Sequence, residues 1–338
     1  MPAITFDHVT KVFESGAQAG DTTQGRKAAV HDVSFEVEEG EFVVLLGPSG
    51  CGKTTLMRMV NRLIEPTSGR IEVDGREIHD IPATHLRRQI GYVIQQVGLF
   101  PHMRVEQNIA VVPKLLGWPK ERIDPRIDEL LELVALPPEQ YRKRYPRQLS
   151  GGQQQRVGIA RAMAADPDIL LMDEPFGAID AITRTDLQNE LLAIQRKVSK
   201  TVIFVTHDVE EALRLADRIA VMREGEVVQF DAPVELLTHP ADDFVRALLG
   251  TQDVFRQLSL VPVMDIMEPV NGEAAVTGLT VGRDGDVRGA LSTLIANSAR
   301  ELTVVDNTGK PVGRITLQKI LDEGAHEAAE ARSDGEAG

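Results

Sequence analysis

Phe42–Val60 reads FVVLLGPSGCGKTTLMRMV. Phe42 to Leu46 is an unbroken apolar run, the pattern of a strand covered on both faces. Gly47 to Thr54, GPSGCGKT, fits the pattern G-x-x-x-x-G-K-[ST], and a helical pattern begins at Lys53. Strand, glycine-rich loop and helix in that order predict a parallel α/β sheet.

Such a loop is suited to phosphates. Its glycines, Gly47, Gly50 and Gly52, let successive backbone N–H groups, with those of Pro48's neighbour Ser49, converge on the β and γ phosphates of a nucleotide. Lys53 supplies a positive charge, the Thr54 hydroxyl can ligate Mg²⁺, and Thr55 with the helix N-terminus adds further donors. Cys51 reads as a small residue at a free position of the loop. The alternative, a glycine turn with an incidental lysine, is disfavoured by the flanking strand and helix. The pattern alone does not choose among ATPases and GTPases.

Ile169–Glu174, ILLMDE, is a second apolar strand, ending in two carboxylates. Asp173 can join the Mg²⁺ shell and Glu174 can orient and polarise an attacking water. Leu149–Gln153, LSGGQ, opens a helix. Ser150 is placed to cap it and Gln153 to reciprocate, a capping box that is also an anion site.

GPSGCGKTT, then LSGGQ, ILLMDEP and finally VTHD at 205–208, in this order, resembles the ATP-binding subunit of ABC transporters over roughly residues 3–245. The resemblance implies an ATPase using ATP and Mg²⁺. It also implies a head-to-tail homodimer in which Ser150, Gly151, Gly152 and Gln153 of one copy face the γ phosphate bound at Lys53 of the other. By the same resemblance Gln95 ligates the metal and links it to the membrane subunits, His207 lies near the γ phosphate with Glu174, Asp180 closes the dimer contact and Phe13 stacks on adenine. Two integral membrane permease subunits and an extracytoplasmic solute-binding protein complete the implied assembly, with this chain at the cytoplasmic face of the membrane. NRLIEPTSG at 61–69, GYVIQQVGLFPHM at 91–103 and PKLLGWP at 113–119 look like the branch that imports glycine betaine, choline or carnitine. Methionine or polyamine import is the alternative, and a soluble, non-transport ABC ATPase a more distant one.

The rest of the chain agrees. With 51 acidic against 37 basic residues and a net charge of -14, the surface argues against nucleic acid as a partner. Cys51 is the one cysteine, which excludes an internal disulfide. Met1–Thr10 does not read as a signal peptide, and no apolar run approaches the roughly 18 residues of a membrane-spanning helix. An N-K-x-D guanine-reading element is absent. The basic cluster Arg142, Lys143, Arg144 and Arg147 reads as a solvated face or a rim toward the membrane subunit.

The expected organisation is a P-loop ATPase domain at 3–245, with a parallel core sheet, antiparallel strands on one edge (residues 3–46) and a helical insertion at about 100–165. Within the insertion, helical periodicity runs from Arg122 to Leu136 and from Tyr141 to Ala164, broken by Pro137 and Pro138. Ser15–Lys27 reads as a mobile loop. A linker at 246–262 leads to a small α+β unit at 263–324, where VMDIMEP at 263–269 and LTVVDNTGKPVGRITLQKIL at 302–321 are similar to one CBS repeat. In nucleotide-binding repeats an aspartate follows the threonine; here Thr316 is followed by Lys319, so adenosine binding is not expected. Residues 325–338 read as a disordered acidic tail.

Overall fold

A computed structural model describes residues 2–13, 28–95, 98–177, 181–250, 258, 261–269, 278–297 and 299–320. Asp180, the Ser15–Lys27 loop and the 325–338 tail lie outside the described residues. The chain divides into two compact units, Met1–Asp231 and Ala232–Gly338. No helix among the described residues is long and apolar enough to cross a membrane.

In the first unit, β1 (Pro2–Lys11) buries Ile4 and Phe6 and β2 (Val30–Glu38) buries Val33, Phe35 and Val37, the alternation of a half-buried strand, which register shifts interrupt elsewhere along the pair. With β4 (Ser68–Val73) and β5 (Arg76–Glu77) they form an antiparallel sheet of their own, in the order β2-β1-β4-β5. The expectation of an antiparallel edge on the parallel sheet is corrected here, because the strands pair with each other and pack face on. Phe6 stacks on Phe35 at 4.5 Å between ring centres, and Phe35 meets Phe230 at 4.8 Å. Their shared core also takes in Val43, Leu45, Val205 and Met222 from the second sheet.

That second sheet holds β3 (Phe42–Leu46), β6 (Ile90–Val93), β7 (Ile169–Asp173), β8 (Thr201–Thr206), β9 (Arg218–Arg223) and β10 (Glu226–Asp231) in the order β10-β9-β3-β8-β7-β6. All pairs are parallel except β9 with β10. Every residue of β3, β7 and β8 is buried, which explains why these strands read as continuous apolar runs. Register sets Leu46 opposite Thr206 and Asp173 opposite Val205, so the carboxyl ends of β3, β8 and β7 finish side by side. Helices α1 (Lys53–Val60), α2 (Ala83–Gln89), α8 (Ala181–Val198) and α9 (Val209–Leu215) accompany the sheet.

The helical insertion comprises α3 (Val105–Ile109), α4 (Val111–Leu115), α5 (Lys120–Leu133), α6 (Pro138–Tyr141) and α7 (Gly151–Ala162). Pro138 begins α6 rather than merely ending a helix, because at the first position its missing N–H has no partner to lose. The helicity expected from Tyr141 to Ala164 is interrupted after α6, and the long helix starts at Gly151. The basic cluster is likewise not a uniformly solvated face. Arg142 turns inward to Glu106 of α3 at 2.9 Å and to Asp124 and Asp128 of α5 at 2.6 and 2.8 Å. The Arg144 guanidinium lies over the Tyr141 ring, 4.5 Å from its centre.

In the second unit α10 (Pro233–Thr238) and α11 (Asp243–Leu249) precede α12 (Val263–Ile266), so α11 runs into the stretch read as linker. β11 (Glu268–Pro269), β12 (Thr280–Gly282), β13 (Glu301–Val305) and β14 (Pro311–Thr316) form a sheet in the order β11-β14-β13-β12, with α13 (Val287–Ala296) connecting the parallel pair β12 and β13. Val263, Val287, Leu291, Leu294, Leu302 and Ile315 close its own core. Asp306 makes the β13–β14 turn by accepting from the Thr308 and Lys310 N–H groups at 2.8 and 3.0 Å. The Thr316 hydroxyl accepts from Lys319 N–H at 3.2 Å, a local cap for the segment that follows.

Candidate active site

The loop after β3 is shaped by what surrounds it. Gly47 has φ 153°, and a Cβ there would lie 2.3 Å from the Met222 carbonyl oxygen. Gly52 has φ 110°, and a Cβ there would lie 2.3 Å from the Ala29 carbonyl oxygen. Neither position admits a side chain, whereas Gly50, at φ 81°, faces open space. Pro48, Ser49 and Gly50 are exposed and Cys51 is buried. Gly52 caps α1 without a side chain, so the first-turn amides of Lys53, Thr54 and Thr55 open toward the loop. Lys53 folds back and donates to the Gly47 and Pro48 carbonyls at 2.6 and 2.9 Å, which holds its ammonium over the cradle.

One strand away from β8, the Thr54 hydroxyl donates to Asp173 Oδ1 at 2.9 Å. The other Asp173 oxygen accepts from Arg58 Nη2 at 3.3 Å. Arg58 was not legible as a site residue, although it stands four residues after Thr54 and therefore on the same face of α1. Its guanidinium is held firmly protonated, first by the Tyr92 hydroxyl and then by Asp173. Burial pushes the Tyr92 phenol upward in turn. A hydroxyl beside a buried carboxylate is a donor set of hard oxygens, which suits Mg²⁺. Among the described residues no group of three or more His, Cys, Asp or Glu could hold a metal ion. Mg²⁺ is commonly held by one or two carboxylates together with substrate phosphates, so the pair fits it.

Glu174 follows β7 at φ 43°, its N–H anchored to the Val205 carbonyl at 3.0 Å. A left-handed glutamate costs on the order of 1–3 kcal/mol and persists where its surroundings fix it. Here it turns the side chain between two others. Gln95, just past β6, donates to Glu174 Oε2 at 3.1 Å, and His207 Nδ1, just past β8, lies 3.4 Å from Oε1. Thus Lys53, His207, Asp173, Glu174 and Gln95 all follow or end the adjacent strands β3, β8, β7 and β6, at the carboxyl edge where ligands of open α/β sheets bind.

Ser150 caps α7 as read: its hydroxyl accepts from Gln153 N–H at 3.3 Å and Gln153 Oε1 accepts from Ser150 N–H at 3.1 Å. Gly151 is exposed, with open space where a Cβ would be, and Gly152 is buried. Among the described residues the hydrogen bonds of this group stay within the insertion, including Gln153 to the Tyr141 hydroxyl at 3.2 Å. Phe13 is 49% exposed, and the Lys11 ammonium lies 5.2 Å from the centre of its ring.

The chain is similar to known proteins. The family profile for ABC transporters matches residues 30–177. The osmoprotectant import ATP-binding protein OsmV of Salmonella typhimurium is 50% identical, over 84% of this chain and 73% of its own. The glycine betaine uptake system ATP-binding protein YehX of Escherichia coli is 48% identical, over 95% of this chain and 99% of its own. The glycine betaine/carnitine/choline transport ATP-binding protein OpuCA of Bacillus subtilis is 47% identical, over 90% and 78%. Among solved structures, the ATP-binding cassette MJ0796 in a dimeric post-hydrolysis state with ADP and Pi superimposes with a TM-score of 0.59 at 33% identity, over 68% of this chain and 98% of its own. Fold, site and likeness agree, and the chain belongs to the ABC transporter family as one of its ATP-binding, ATP-hydrolysing subunits.

Proposed function

We propose that this chain energises the import of a quaternary amine osmoprotectant, such as glycine betaine, choline or carnitine, through two membrane permease subunits at the cytoplasmic face, with an extracytoplasmic solute-binding protein delivering the solute. The observation that carries the motor part is the convergence of Lys53, Thr54, Asp173, Glu174, Gln95 and His207 at the ends of four adjacent strands. The solute class rests on the relatives, whose names refer to these compounds.

In this reading the amides of Gly47–Thr55 and the Lys53 ammonium bind the β and γ phosphates, and Phe13 stacks on adenine. Thr54, Asp173 and Gln95 would hold Mg²⁺, whose charge would offset that of the phosphates. Glu174 orients the attacking water, and His207 steadies Glu174 and the γ phosphate. Ser150, Gly151, Gly152 and Gln153 of a second copy close over the nucleotide, with Asp180 at the contact, so ATP joins the two copies and hydrolysis separates them. The ATPase domain is taken to span residues 3–245, beyond the compact unit that ends at Asp231. Residues 263–324 form a CBS-like regulatory unit with an ionic-strength or structural role rather than adenosine binding, its β12-α13-β13-β14 order and separate core supporting an independent module.

Uptake of radiolabelled glycine betaine and choline, at high and low osmolarity, tests the proposal in cells carrying this chain with its neighbouring membrane subunits. Osmolarity-dependent uptake abolished by Glu174→Gln is the expected result. No uptake despite ATPase activity would refute the solute class.

A further inference from the structure

A buried carboxylate outside the phosphate site is hydrogen-bonded to the segment that carries His207. Glu211 of α9 is 5% exposed, and both of its oxygens accept hydrogen bonds. Oε2 takes the Thr206 hydroxyl at 2.7 Å, and Oε1 takes Gln188 Nε2 at 3.2 Å, with Arg184 Nε 4.0 Å away. Thr206 is the last residue of β8, and its hydroxyl oxygen also accepts the Asp208 N–H at 3.0 Å. A hydroxyl has a single proton, so committing it to Glu211 fixes where its lone pairs point. They point at the amide just beyond His207.

Asp208 is held from the other side as well. Its Oδ1 accepts from the Glu210 and Glu211 N–H groups at 2.9 and 3.2 Å, capping α9, and its Oδ2 lies 3.4 Å from Arg184. His207 is therefore bracketed by two residues pinned to one network, while its own side chain is 62% exposed and directed to Glu174. Gln188 and Arg184 belong to α8, so the same carboxylate ties α8 to the histidine segment. Burial pushes the Glu211 carboxyl above the ordinary glutamate range, as its enclosed position requires.

We propose that Glu211 is a positioning residue for hydrolysis: through the Thr206 hydroxyl it sets the backbone that aims His207 at Glu174, and through Gln188 and Arg184 it makes that aim depend on α8. The proposal rests on the assignment of His207 and Glu174 given above. It predicts an effect on turnover without an effect on nucleotide binding, because none of these groups belongs to the phosphate loop.

The test uses the full chain and compares Glu211→Leu, Glu211→Gln, Thr206→Val and Thr206→Ser, each alone and with His207→Ala. Thr206→Val keeps the shape of the buried side chain, so it remains informative if Glu211→Leu fails to fold. Glu211→Leu and Thr206→Val should lower kcat by roughly ten- to a hundredfold, the scale on which a displacement of about 1 Å acts. MgATP affinity should stay within about twofold, well under the 1.4 kcal/mol of a tenfold change. Glu211→Gln, whose amide can still accept from Thr206, and Thr206→Ser should restore turnover. In the His207→Ala background none of the four should lower kcat further. Normal turnover in Thr206→Val, or an undiminished further loss in the His207→Ala background, would overturn the proposal. Normal turnover in His207→Ala alone would instead remove His207 from hydrolysis, and this role of Glu211 with it.

Discussion

Arg142 offers a sharp test of how the helical insertion is held. Its guanidinium reaches one carboxylate of α3 and two of α5, while its own carbonyl accepts the Glu106 N–H at 3.0 Å. Arg142→Met keeps length and apolar stem, removes the charge, and leaves three carboxylates facing one another. Glu106 and Arg142 are 26% and 21% exposed, so this pair counts near the ~1.5–3 kcal/mol of a charge-assisted hydrogen bond. Asp124 and Asp128 are 40% and 43% exposed, and solvent screening reduces each to about 0.2–1 kcal/mol. The sum is about 2–5 kcal/mol, a fall of roughly 4–20 °C in the melting temperature of a unit this size. Circular dichroism melts at low and high NaCl measure it, and the deficit should shrink with salt as the carboxylate repulsion is screened. Arg142→Lys should fall between, because an ammonium cannot serve three acceptors in a planar fork. A Tm within about 2 °C of the parent for Arg142→Met, given that 1 kcal/mol shifts Tm by about 2–4 °C, would refute this reading.

Gly52→Ala should be worse tolerated than Gly50→Ala, because only the former meets a backbone oxygen, Ala29's, at 2.3 Å in addition to its positive φ. Nucleotide titration and thermal melts should show weakened ATP binding by at least about tenfold (~1.4 kcal/mol) and a lower Tm for Gly52→Ala. The raised Glu211 carboxyl gives a pH signature. The folded state keeps this proton to higher pH than the unfolded state, whose glutamates titrate at about 4.3. Folding stability should therefore fall as pH rises through the interval between the unfolded and folded values, and Glu211→Gln should flatten that slope in urea unfolding.

Much of the site is legible in the chain because its signals are local. Phe42–Thr54 carries strand, loop and helix in one stretch, and Ser150 with Gln153 states its own capping box. Ile169–Glu174 shows a buried strand and its terminal carboxylates together. What could not be read depends on residues far apart in sequence. The basic look of Arg142–Arg147 says nothing of Glu106, Asp124 and Asp128, which turn Arg142 inward. Arg58 and Asp173 stand on different elements, and their pairing follows only from the order of the strands. Asp208 and Glu211 have capping-box spacing, yet Glu211 bonds to Thr206 and Gln188 once buried. The antiparallel β1–β2 pair was readable, but its membership of a separate sheet was not, since pairing partners β4 and β5 carry little periodic signal.

The most direct measurement is the molar mass of purified Glu174→Gln by light scattering, with and without MgATP, beside the turnover of the parent chain. The expected result is a doubling of mass that requires ATP and reverses on its removal, with hydrolysis far below that of the parent. Turnover equal to the parent, or a mass unchanged at saturating ATP while the parent hydrolyses it, would contradict the assignment of Glu174 and of the nucleotide-joined dimer.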